Sequence, residues 1–127
     1  MATKEQVRAL LERYATAMEQ RDRDTWVGCF AEDATQEDPI GTPPNVGHEA
    51  IGRFFDGQTI PVTLTLADDP LVLGNEVIAF FSVIADFDGT KVANSRIVDH
   101  IVLTDDGTRF QSLRAFFDPD DMRPIAE

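Results

Sequence analysis

Two long runs, Glu76–Phe87 and Thr90–Thr104, rich in Val, Ile and Phe and joined by Asp88-Gly89, constrain this chain more than any other feature. An Asp-Gly pair between apolar β-type runs predicts a hairpin. Its second arm contains Ile97-Val98-Asp99-His100-Ile101-Val102-Leu103. Successive strand side chains point to opposite faces, so Ile97, Asp99, Ile101 and Leu103 share one face and Val98, His100 and Val102 the other. Asp99 therefore points where isoleucines point. An ionised carboxylate is too costly to keep in an apolar interior, so such a group either finds a partner or raises its pKa and stays protonated. A lone buried Asp is more often structural than functional, and a role in chemistry requires other residues to converge on it.

Ahead of the hairpin the pattern is helical. Thr3-Lys4-Glu5-Gln6 forms a capping box, and Val7, Leu10, Leu11, Tyr14 and Met18 recur every three or four residues through Gln20. Asp22 or Asp24 caps a short second helix bearing Trp26, Val27 and Phe30. Ala31–Gly41 reads as extended, because the residue before Pro39 is pushed out of helix, and Thr42–Asn45 as a loop. A third helix is predicted from about Gly47 to Asp56, burying Ile51, Phe54 and Phe55. Val62, Leu64 and Leu66 alternate with threonines as a strand. Asp105-Asp106-Gly107 turns the chain into a last strand, Arg109–Phe117, and Asp118–Asp121 reads as a loose tail. Helices in front and hairpins behind predict an α+β architecture: three N-terminal helices on one face of a curved, cone-shaped antiparallel sheet whose open mouth leads to one apolar pocket.

At 127 residues, 43% of them hydrophobic, the chain is expected to form one domain over residues 1–127. Its net charge of -12 would repel a phosphate backbone, which argues against nucleic acid as a partner. Cys29 is the only cysteine, so no intrachain disulfide forms. The residues after Met1 lack a signal-peptide core, and no apolar run is long enough to span a bilayer, so a soluble cytoplasmic protein is expected, with no membrane partner. His48 and His100 with one cysteine make no metal site. Ser82, Ser95 and Ser112 lack a nucleophile elbow, and no glycine-rich phosphate loop is present.

Asp38, beside Glu37 and before a Pro-Ile-Gly break, is expected to reach solvent and stay ionised, whereas Asp99 is expected to stay neutral. Carboxyls pushed apart in this way divide into base and acid. Tyr14 adds a second neutral donor. One anionic base with two neutral donors suits removal of a proton beside a carbonyl and stabilisation of the enolate formed.

Arg13-Tyr14-Ala15, Phe30-Ala31-Glu32-Asp33-Ala34-Thr35, Glu37-Asp38-Pro39-Ile40-Gly41 and Val98-Asp99-His100 closely resemble segments of the bacterial steroid Δ-isomerases, the ketosteroid isomerases. The similarity runs from the first helix to Phe117, with one extra residue near the Asp105–Gly107 turn. The resemblance implies a cystatin-like, nuclear transport factor-like fold, a homodimer packed through its sheets and no cofactor. It implies further that Asp38 moves a proton from carbon 4 to carbon 6 of a Δ5-3-ketosteroid while Tyr14 and protonated Asp99 donate to the 3-oxygen; the neutral Asp donor is a property of that family, carried over here. Phe55, Phe81, Val83, Leu113 and Phe117 are candidate pocket residues. The chain departs from the family in having a single tyrosine, with Phe30 and Phe55 where supporting tyrosines often stand. Competing readings are a steroid-binding or carrier protein, and a cyclase, dehydratase or epoxide hydrolase on the same fold.

Overall fold

The computed structural model describes residues 2–125. Helix α1 (Lys4–Gln20) begins at the Thr3 cap: Thr3 Oγ1 accepts from Gln6 N–H at 3.1 Å, and Gln6 Oε1 accepts from Thr3 N–H at 2.8 Å. Its apolar stripe buries Val7, Leu10, Leu11, Tyr14 and Met18. The helix stops where Arg21 turns left-handed at φ 57° and donates its N–H back to Ala17 and Met18 carbonyls. Asp22, rather than Asp24, caps α2 (Arg23–Gly28), accepting from Thr25 N–H at 3.3 Å. The helix ends short of Phe30, which opens the first strand because the chain there pairs with the sheet through the Phe110 N–H to Cys29 O hydrogen bond. Helix α3 (Gly47–Gly57) buries Ile51 and Phe55.

The strands are β1 (Phe30–Glu37), β2 (Asn45–Val46), β3 (Val62–Leu66), β4 (Leu71–Leu73), β5 (Glu76–Phe87), β6 (Thr90–Leu103), β7 (Phe110–Phe116) and β8 (Arg123–Pro124). They form one sheet in the order β2-β1-β7-β6-β5-β3, with β4 added on β5 and β8 on β6. The predicted hairpin is β5–β6, paired from Glu76↔Val102 to Phe87↔Thr90 with a bulge between Phe81 and Val83. Such a bulge bends the ladder and increases its twist.

The sheet is mixed rather than wholly antiparallel, because β1 runs parallel to β7. The reason is connectivity: residues 38–109 lie between these two strands, and a long connection permits parallel pairing where a tight turn does not. Asn45 leaves the expected loop to join β2, its Nδ2 donating to Oε1 of the fully buried Gln36 at 2.9 Å. The tail expected to be loose is also structured. Asp118 caps a 3₁₀ turn at Pro119–Asp121, Arg96 pairs with Asp121 at 2.8 Å, and β8 pairs with Val92 and Ala93 of β6.

The core lies between the helices and one sheet face. Trp26, Phe30, Phe81 and Phe110 are its largest fully buried side chains. Tyr14 stands among them, its ring centroid 5.4–6.1 Å from those of Trp26, Phe30, Phe81 and Phe110.

Candidate active site

Each site residue is delivered by a different element. The stripe of α1 carries Tyr14 inward, and alternation along β6 does the same for Asp99, which is 3% exposed. The pairing of β6 with β7 sets Ala115 opposite Asp99. Ala115 O accepts from Ile40 N–H at 2.8 Å, which pins the segment after β1 to β7 and brings Asp38 to the same end of the sheet. The outcome is a cavity of about 140 Å³ lined by Tyr14, Asp38 and Asp99 together. Its apolar walls come from Met18 and Phe54 on the helices and from Val62, Leu64, Phe81, Val83, Ile97 and Phe117 on the sheet side.

Burial dominates the electrostatics. It raises Asp99 well above the usual carboxylate range, and the Asp38 charge adds to the effect. Asp99 Oδ1 is buried and, among the described residues, has no hydrogen-bond partner. A neutral carboxyl with a free oxygen can donate to an incoming acceptor. Burial, followed by the Asp99 and Asp38 carboxyls, lifts Tyr14 well above 10, so the phenol keeps its proton. Asp38 differs from expectation. It does not reach solvent freely: its carboxyl is largely covered, and burial raises it from 3.8 to about 6. It is still mostly ionised at pH 7, and a carboxylate near 6 is a stronger base than a solvated one.

Of the candidate lining residues, Phe81, Val83 and Phe117 face the cavity, whereas Phe55 and Leu113 do not. Phe55 turns into the core, 5.2 Å from the Trp26 ring, under the Arg21 guanidinium at 4.3 Å. Leu113, fully buried, lies two residues before Ala115, the β7 residue that does reach the site. Phe54 takes the place expected of Phe55. The two are adjacent on α3, and how α3 packs on α2 and β1 decides which one enters. Ile97 was readable beforehand, since it shares a face with Asp99.

His100 points to the opposite sheet face, where its Nε2 lies 2.7 Å from Glu76 Oε1. A larger groove of about 850 Å³ runs there past Leu71, Leu73 and His100, but none of its titratable residues is buried, so the chemistry is assigned to the smaller cavity. Among the described residues, no three His, Cys, Asp or Glu side chains converge to hold a metal ion, and no helix is long and apolar enough to cross a membrane.

Helices packed on a curved mixed sheet, with carboxyls at the apolar cavity beneath them, define an α+β class of fold. Within that class the chain belongs to the SnoaL-like domain family, whose sequence model matches residues 11–120. The nuclear transport factor-like fold inferred from the sequence is thereby established. Solved structures share it over nearly the whole chain. The epoxide hydrolase/cyclase-like enzyme SalBIII, of pyran ring formation in the polyether salinomycin, has a TM-score of 0.85 at 25% identity, covering 98% of this chain and 100% of its own. RV0760c from Mycobacterium tuberculosis, in complex with estradiol-17β-hemisuccinate, has a TM-score of 0.77 at 23% identity over 91% and 95%. A computationally designed 17-OHP binder has a TM-score of 0.76 at 22% identity over 94% and 95%.

Proposed function

We propose that this protein is a cofactor-independent isomerase that moves a carbon–carbon double bond into conjugation with a ketone, its substrate a Δ5-3-ketosteroid. Asp38 removes a proton from carbon 4. The electron pair shifts to the 3-oxygen, and the dienolate accepts hydrogen bonds from Tyr14 and neutral Asp99. Asp38 then returns the proton to carbon 6, giving the Δ4-3-ketone. The observation that carries this reading is the convergence, in one apolar cavity, of a base near 6 with two groups held neutral by burial. Simple binding needs no such base. The cavity, about 140 Å³, matches one six-membered ring, since an engineered void of about 150 Å³ holds benzene. The reacting ring therefore sits inside and the others extend toward Phe117 and the exposed Gln58.

Adding a Δ5-3-ketosteroid and following the conjugated-enone absorbance tests the proposal. Growth proportional to protein, lost in Asp38→Asn, is expected. Tight binding without absorbance growth would instead favour the steroid-binding reading, which the estradiol-17β-hemisuccinate complex of one fold relative and the designed 17-OHP binder support.

We also propose a homodimer packed through the outer sheet face. That face exposes Phe116, 61% accessible, and Phe116 pairs across the sheet with Val98. Sedimentation of the parent and of Phe116→Lys tests this, with a shift to monomer expected in the variant.

A further inference from the structure

Trp26 is the chain's only tryptophan and is completely buried, yet among the described residues its Nε1–H has no hydrogen-bond partner. A buried donor left unpaired is destabilising, and each such group in a native structure calls for an explanation. Trp26 cannot readily turn to seek a partner elsewhere. Phe30, Phe54 and Phe55 pack around its ring at centroid separations of 5.0, 6.1 and 5.2 Å. Its remaining ring neighbour is Tyr14, stacked at 5.5 Å with 28° between the planes. The indole N–H also acts on the Tyr14 phenol, opposing the upward push of burial and of the two carboxyls, although it falls short of full hydrogen-bond geometry. No other phenol can play this part, because Tyr14 is the only tyrosine.

We propose that the Trp26 indole N–H is a positioning donor to the Tyr14 oxygen, closing onto it when Tyr14 itself donates to an oxyanion. As the Tyr14 proton is drawn toward the substrate oxygen, negative charge grows on the phenol oxygen. An N–H aimed at that oxygen then stabilises it, and chains of hydrogen bonds strengthen one another. Hydrogen bonds of this kind are often long in an unliganded site and tighten in the reacting complex. Trp26 thus supplies from α2 the support that a second tyrosine would otherwise give.

The kinetic part of this proposal rests on the isomerase reading, whereas its spectroscopic part does not. With one tryptophan in the chain, the indole Nε1–H gives a single NMR resonance. Saturating the parent with 2-naphthol, a planar phenol that imitates the dienolate, is expected to move that resonance downfield, and the same addition to Tyr14→Phe is expected to leave it in place. A resonance that responds alike in both proteins, or in neither, overturns the pairing. Because this comparison leaves Trp26 intact, it stands even where Trp26 variants fold poorly. In Trp26→Phe, which keeps a ring and loses the N–H, kcat on a Δ5-3-ketosteroid is expected to fall about tenfold with KM unchanged; an undiminished kcat overturns the proposal. Absence of turnover in the parent, with the Tyr14-dependent shift intact, would refute the isomerase reading and leave the pairing standing.

Discussion

Asp99 and His100 are chain neighbours on one strand, and the two faces of that strand treat them in opposite ways. On the inner face, Asp99 lies between Ile97 and Ile101, 3% exposed and with one oxygen unpartnered among the described residues, and burial raises it well above the usual carboxylate range. On the outer face, the His100 side chain is 40% exposed and meets Glu76 across the β5–β6 pairing. An exposed polar contact of this sort contributes little, because water competes for both groups. The comparison teaches that depth, rather than residue type, confers reactivity here. A slip of one residue in strand register would exchange the two environments.

Removing the charged member of the inner group should have the largest effect. Asp38→Asn is expected to lower turnover by about 10²–10⁴-fold, the usual contribution of a positioned base, with steroid affinity intact or improved. Steady-state kinetics with a binding titration checks both; a near-normal kcat would mean that the two faces do not differ in the way argued. Next, Tyr14→Phe removes one of two oxyanion donors and should cost roughly 10²–10³ in kcat. A loss of only a few-fold would leave Asp99 carrying the oxyanion alone.

A milder probe is pH. Asp38 must be ionised to act, and its pKa is about 6, so kcat/KM should rise roughly tenfold between pH 5 and 7 and then level off. Stability should run the other way. The folded-state value lies above the ordinary 3.8, so this group's contribution is fully present below about pH 4 and is lost as pH rises through about 6. Asp38→Asn should therefore gain on the order of 1–2 kcal/mol relative to the parent between pH 4 and pH 8, allowing for partial exposure. Urea melts at the two pH values measure it. Smallest of all, His100→Ala on the outer face should change stability by less than about 1 kcal/mol and leave turnover untouched. A marked loss of activity there would undo the division between faces.

Much of the scaffold was legible because it is written in local periodicity. The capping box and three-four spacing located α1, and the Asp88-Gly89 turn with its flanking alternation located β5, β6 and the direction of Asp99. Errors arose wherever distant segments decide. Its polar neighbours point Asp38 to solvent, but the Ile40–Ala115 hydrogen bond pins the following segment to β7 and the carboxyl ends largely covered. Phe55 and Leu113 have the right composition for a pocket wall, yet helix rotation and strand position give those places to Phe54 and Ala115. Polar, proline-bearing Asp118–Asp121 is ordered by Arg96, which no local pattern reveals.

Taken alone, the sequence determined the types of the long elements, the face on which Asp99 lies and three polar candidates for the site, the first two because helix and strand periods set side-chain direction within a few residues. Only the tertiary structure decided that Tyr14, Asp38 and Asp99 share one cavity, that Asp38 is raised to about 6, and that the Trp26 ring stacks on Tyr14 with its N–H buried and unpaired among the described residues. Each of those facts depends on desolvation, and desolvation is set by which remote segments pack together and exclude water.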